Sequence, residues 1–242
     1  MSKKAKKNKK WFSFVKKIMK LRYKRPKFIY LGEEVQSGAV IVCNHEGTDS
    51  PMAWEMYSGK AVSFWGAYQM NSGLRKMYPY HSKVYFHQKK GWNLFGARMF
   101  CLIASPLTNM FYKGLHVIST YPDVRFTKTI SESLETLEQG RNIVIFPEKS
   151  DNGYQATLEG FHGGVALFLQ ASMKKGKDIS VFPSYFNKEK NICIVGNSVK
   201  YSELKNGVEN KEEVAQKLCD MCNELGRKTF EMESYRKKSK SK

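Results

Sequence analysis

The sequence predicts an α/β fold: a mostly parallel central sheet flanked by helices, preceded by a basic amphipathic N-terminal helix. Two observations carry this. Short continuous apolar runs, such as residues 39–43 (AVIVC) and 143–146 (IVIF), read as strands buried on both faces. Between them lie segments with helical spacing, and strands alternating with helices imply parallel pairing with helices on both sides of the sheet. A chain of 242 residues is long enough for one domain with its own core.

The N-terminus is the least globular part. Of a formal net charge of +19, residues 1–27 carry thirteen Lys/Arg and no acid, and residues 236–242 carry five more and no acid. The body, residues 28–235, is left at +1. That distribution argues against a basic groove built into the fold and for two tails drawn to an anionic surface. The chain divides into a basic tail and helix (1–30), the α/β domain (31–232) and a basic C-terminal tail (233–242). On a helix over 11–25, Trp11, Phe12, Phe14, Val15, Ile18, Met19 and Leu21 share one half of the circumference, and Ser13, Lys16, Lys17, Lys20 and Lys24 gather opposite. Pro26 stops it. A lysine face opposite an aromatic one favours a helix lying in a membrane interface; the alternative is an amphipathic helix docked on the protein's own core.

The first strand, 39–43, ends at Asn44-His45, and a helix follows from Pro51. Residues 61–66 form the next strand. Residues 92–112 are apolar and aromatic but interrupted by Arg98 and Pro106; a buried helix pair is the leading reading, a membrane-dipping segment the other. No run reaches 18 uninterrupted apolar residues, which argues against a spanning helix. No signal peptide is evident, because the N-terminal apolar residues are interleaved with lysine. Ile130, Leu134 and Leu137 mark a helix closed by Gly140. The strand 143–146 runs into Pro147-Glu148. A helix over 163–173 and strands over 179–183 and 191–195 follow. Asn210-x-x-Glu213 opens the last helix as a capping box, and Val214, Leu218, Met221 and Leu225 form its apolar stripe. Five cysteines in no framework spacing read as reduced thiols of a cytosolic protein, and Cys219-x-x-Cys222 as two thiols near one helix face.

Sites in such folds lie at the carboxyl ends of strands, where both Asn44-His45 and Pro147-Glu148 fall. A histidine followed by a carboxylate supplies a general base: the carboxylate holds one ring nitrogen as N–H and the other takes a proton. His45 and Asp49 form such a pair. Taken with the order of blocks VIVCNHEGTDSP, IVIFPEKS, FHGGVALF and ISVFPSY, the chain resembles the glycerolipid acyltransferase family over about residues 36–200. That family carries Asn-His-x4-Asp after a strand, a Gly-led segment ending in Arg, then Phe-Pro-Glu-Gly-Thr-Arg. Here the first block is His-x3-Asp, with Ser50 at the usual Asp position. The second, from Gly114, ends in Thr120, and the third reads Lys149-Ser150-Asp151.

The resemblance implies a fatty acyl transfer from an acyl thioester, coenzyme A or acyl carrier protein, to the hydroxyl of a lysophospholipid such as lysophosphatidic acid. It implies His45 as base and Asp49 as its support. Asn44, Glu148, Lys149 and Ser150 would line the acceptor side, and Arg125 or Lys113 would replace the missing arginine as phosphate contact. It implies no metal ion and no redox cofactor, an anionic membrane surface as partner, no nucleic acid, and a peripheral, monotopic place on the cytoplasmic face of a membrane. The apolar segment 92–112 also reads, from its own composition, as the wall of an acyl-chain tunnel. Two competing readings are a catalytically silent lipid-binding relative and a nucleic-acid binder using its basic tails. His116, inside an apolar run, reads as an interior residue; His81 and His87 lie in a basic, tyrosine-rich stretch (YPYHSKVYFHQKK, 78–90) that reads as plain surface, with contact to head groups or nucleic acid as the other readings; His162 reads as a helix-start residue and Glu46 as a loop carboxylate.

Overall fold

The computed structural model describes residues 10–149, 153, 155–208 and 210–239, with the side chains of residue 10 and of 232–239 excepted. The expectations for residues 1–9, Ser150, Asp151 and 240–242 fall outside these residues. In chain order the elements are α1 (Lys10–Arg22), β1 (Lys27–Tyr30), β2 (Val40–Val42), α2 (Asp49–Tyr57), β3 (Val62–Ala67), α3 (Tyr68–Asn71), α4 (Leu74–Pro79) and a π-helical segment (Tyr80–Lys89). There follow α5 (Leu94–Gly114), β4 (Val117–Thr120), α6 (Phe126–Glu138), β5 (Asn142–Ile145), α7 (Gly164–Lys174), β6 (Ser180–Asn187), β7 (Ile192–Val195), β8 (Val199–Lys200), α8 (Tyr201–Leu204) and α9 (Lys211–Ser239).

The strands form one mixed sheet in the order β1-β7-β6-β2-β5-β3-β4, with β8 on β6. Pairing is parallel from β6 through β2, β5 and β3 to β4, and antiparallel where β6 meets β7 and β8. Side chains alternate across β2. Val40 and Val42 join Ile143, Ile145 and Val181 beneath α6, α7 and α9, while Ile41 and Cys43 join Val144, Phe182 and Trp54 beneath α2. Both faces of the strand are therefore dry, which is why it reads as a continuous apolar run rather than an alternating one. The helix signals hold in detail. Gly140 takes a φ of 75° after α6, and Asn210 accepts from Glu213 N–H at 2.9 Å while its amide donates to the Glu213 carboxylate at 2.7 Å.

Three differences from the sequence reading matter for the site. The sheet includes β1, paired with β7 in a segment assigned to the N-terminal tail and helix. Strand β6 runs past Pro183 to Asn187, because β7 and the Asn44 side chain bond its far end. The segment 92–112 is neither a helix pair nor core. All but its first two residues belong to one 21-residue helix, α5, in which Ala97, Cys101 and Ser105 are buried and Phe95, Met99, Leu102, Ile103, Leu107 and Met110 are exposed. Pro106 sits inside the helix on its exposed side, without an N–H to give to the preceding turn. By length and composition α5 is apolar enough to cross a membrane. Apolar composition cannot tell a core-facing stripe from an outward-facing one, so the burial was decided by tertiary packing.

Helix α1 packs against the end of α5. Phe12 is buried, its ring 5.4 Å from that of Phe111 and so close to Gly114 that a Cβ there would meet it at 2.1 Å. The lysine face is partly turned inward: Lys16 pairs with Glu55 at 3.0 Å and Lys20 lies over Tyr57. Phe14, Ile18 and Leu21, at i, i+4 and i+7, are left exposed.

Candidate active site

Strand β2 lies mid-sheet between β5 and β6, so the chain leaving it emerges among three carboxyl-terminal strand ends. Asn44, the next residue but one, is 1% exposed. Its amide donates to Phe186 O at 3.0 Å and accepts from Phe186 N at 2.7 Å, taking the place of a strand partner beyond the end of β2. His45 follows and turns into a cleft of about 1150 Å³. Its backbone N–H donates to Glu148 Oε2 at 3.0 Å, and its ring stands edge-on to Phe146 at 5.0 Å between centroids. Two left-handed residues, Glu46 (φ 43°) and Gly47 (φ 66°), then carry the chain into α2. A non-glycine residue in that region costs on the order of 1 kcal/mol, and such strain gathers at functional sites.

The cleft floor is His45, Trp65, Phe146 and Glu148. The opposite wall comes from the π-helical segment and α5: Tyr85, Lys89, Lys90, and the α5 stripe Phe100, Ala104, Thr108 and Tyr112. That stripe, at i, i+4, i+8 and i+12, is the inner face of the helix whose outer face is exposed. Burial, with Lys89 and Lys90 adding to it against an opposing Gly47 backbone hydrogen bond, lowers the His45 pKa to about 4. The ring is therefore neutral at physiological pH. Burial raises the Glu148 carboxyl above its ordinary value, opposed by the His45 backbone hydrogen bond and reinforced by Glu46. Glu46 is raised by burial too, with Lys188 opposing and Asp49 reinforcing.

The residues expected at the site are distributed unevenly. His45 and Glu148 meet in the cleft. Asp49 opens α2 one turn beyond His45, and its carboxylate pairs with Lys188 at 2.9 Å. Asn44 lies behind the cleft as a clamp on β6, not as an acceptor contact. Lys149 is exposed near Gly160, its Nζ 3.8 Å from where a Gly160 Cβ would lie. Arg125 is clamped bidentately by Asp123 and lies beside the stacked rings of Tyr68 and Tyr121, at 4.9 and 4.7 Å from their centroids. Ser150 lies outside the described residues. His81, read as surface, is 6% exposed, with Nδ1 3.1 Å from Ser105 Oγ, because the π-helical segment packs on α5. Lys89 and Lys90, at the end of the basic, tyrosine-rich stretch 78–90, reach the cleft; the sequence offered head-group contact as one reading of that stretch but no link to His45. The thiols of Cys219 and Cys222 are buried, donating to Leu158 O and Val42 O.

The Asn44 clamp gives a stability expectation. Asn44→Ala strands a buried N–H and a buried C=O on Phe186, each costing about 1–3 kcal/mol. The variant is expected to lose about 2–4 kcal/mol in urea unfolding, read as a lower midpoint at unchanged slope. A loss under 1 kcal/mol, about the value of one net hydrogen bond, would contradict this placement.

Compared with known proteins, the chain matches no protein-family model, no curated protein and no solved structure.

Proposed function

We propose that the protein is a monotopic acyltransferase of the glycerolipid type, working at the cytoplasmic face of a membrane. It moves a fatty acyl group from an acyl thioester, carried on coenzyme A or acyl carrier protein, to the hydroxyl of a lysophospholipid. The observation that carries the reading is His45: a neutral imidazole at the carboxyl end of a central strand, on the floor of a large aromatic cleft. In the reaction His45 takes the acceptor's hydroxyl proton as the oxygen attacks the thioester carbonyl. The tetrahedral oxyanion collapses, the C–S bond breaks, and the leaving thiolate takes the proton from the imidazolium. Glu46 acts on the charge of both Asp49 and Glu148, and Glu148 is held beside His45 by the His45 backbone N–H. The exposed apolar faces of α1 and α5 support the membrane part of the reading.

The test offers the full-length protein labelled acyl-coenzyme A and acyl carrier protein, with lysophosphatidic acid in anionic vesicles. Acyl transfer to the lipid supports the reading. No transfer from either donor to any of a panel of lipid alcohols would sink it. A silent lipid-binding relative is the second reading, favoured by the engagement of Asp49 with Lys188 and of Arg125 with Asp123. It calls for lipid binding that survives His45→Ala with no turnover in either form.

A further inference from the structure

Among the described residues, the anion contacts expected from the sequence, Arg125, Lys113 and Lys149, do not line the cleft. Arg125 spends its fork on Asp123, and Lys149 is exposed near Gly160, away from the cleft lining. The cleft nevertheless has a cationic side. Lys89 and Lys90 end the π-helical segment and line the same cleft as His45. They are presented on a turn tied at several points. Gly91 N–H donates to His87 O at 3.1 Å, Trp92 N–H donates to Phe86 O at 3.0 Å, and the His87 ring meets Trp92 O at 2.7 Å. Behind the turn, Phe86 packs against Trp92 at 4.9 Å and Phe100 at 5.0 Å between centroids. Lys90 Nζ lies over the Tyr85 ring at 5.9 Å. Both ammonium groups are exposed at the mouth, and both act electrostatically on the His45 ring. A ten-residue π-helical run is rare, and π geometry concentrates at functional positions because it re-aims side chains that an α-helix would point elsewhere.

We infer that Lys89 and Lys90 form the phosphate-binding side of this cleft, taking the phosphate monoester of the acceptor and holding its hydroxyl toward His45. The identity of the acceptor rests on the acyltransferase reading; the binding of a phosphate monoester does not. Two consecutive lysines on the cleft lining supply the point charges that a dianion needs, and Phe100 and Ala104 of the α5 stripe offer apolar lining to the lipid's chain. The anion also offsets the positive field that disfavours the imidazolium, so a bound acceptor makes His45 a stronger base.

The test measures binding without any acyl donor, so it stands apart from turnover. The full-length protein is titrated with lysophosphatidic acid and, separately, with monoacylglycerol, each in vesicles of neutral phosphatidylcholine. Lys89→Gln/Lys90→Gln is expected to weaken lysophosphatidic acid binding by about tenfold or more, with monoacylglycerol binding unchanged. Lys89→Arg/Lys90→Arg is expected to restore most of the difference, and Lys149→Gln to leave binding within about twofold. Both lysines are exposed, so the far-ultraviolet circular dichroism and melting temperature should not move; the two single glutamine variants stand in if the pair does. Inorganic phosphate that competes through the lysine pair assigns recognition to the phosphate alone; phosphate that fails to compete assigns it to the lipid-borne headgroup. Either supports the site. An unchanged lysophosphatidic acid affinity in the double variant, an equal loss for monoacylglycerol, or a comparable loss in Lys149→Gln would overturn it. Absence of acyl transfer in the wild type with the lysine dependence intact would fell the enzymatic reading and leave this one standing.

Discussion

Replacing His45 by alanine is expected to lower acyl transfer by roughly a hundred- to ten-thousandfold, the range a positioned general base contributes. Lipid binding should be nearly unchanged, so the loss should fall on kcat rather than on KM. The pH profile adds an independent check. With a pKa of about 4 in the free protein, the ring is already neutral at pH 6, so kcat/KM should fall only as the pH drops toward 4. The charges that act on the ring are Lys89 and Lys90 from the π-helical segment; Glu148 beyond β5 is tied to the His45 backbone N–H, and Glu46, Asp49 and Lys188 form a neighbouring charged group. Removing the two lysine charges should move that acid limb upward. A profile falling instead near pH 6.5 would show an unburied histidine and undo the proposed geometry.

Stability carries the same signature. The folded protein binds the His45 proton less readily than the unfolded chain, in which the pKa is about 6.5. The neutral ring's contribution is therefore complete above about pH 6.5 and lost as the pH falls through about 4. Its full size is on the order of 3 kcal/mol. Glu46 and Glu148, raised by burial, act with the opposite sign, so the difference between wild type and His45→Gln isolates the histidine. That difference should shrink on acidification; a difference independent of pH would refute the buried neutral ring.

Placing charge on the outer face of α5 is expected to abolish membrane binding. Phe95 and Ile103 are 77% and 73% exposed, and Leu107 lies on the same side. A bilayer that buries all three gains several kcal/mol, at roughly 1.5–3 kcal/mol for each large side chain. Phe95→Glu/Ile103→Glu/Leu107→Glu should reduce partition onto anionic vesicles by at least about a hundredfold, with the melting temperature unchanged because none of the three is in the core. The helix is long enough to span a bilayer, but its inner face is already committed to the cleft and to Ala97, Cys101 and Ser105. One free face suits a helix lying in the interface plane. Phe14, Ile18 and Leu21 on α1 form a second exposed apolar face, and Lys17, exposed among them, matches anionic headgroups. Vesicle binding retained by the triple glutamate variant would remove α5 from the membrane contact.

The sequence by itself determined the buried strands β2, β3, β5 and β7 and the first half of β6, but not β1, β4 or β8. Residues 39–43 and 143–146 are apolar at every position because both faces of β2 and β5 are covered, and that leaves a continuous run in any order of folding. It determined the helix ends at Gly140 and Asn210, where backbone conformation and capping bonds are local. It also placed His45 and Glu148 at strand ends, since each lies within three residues of its strand. Tertiary structure alone decided the rest. Whether Asn44 faced substrate or β6 depended on a strand more than a hundred residues away, and the fate of Asp49 on Lys188. The outward face of α5 and the arrival of Lys89 and Lys90 beside His45 depended on how the π-helical segment packs against α5. Apolar composition records that a surface avoids water; which surface answers it, protein or membrane, is set only by what the completed fold leaves uncovered.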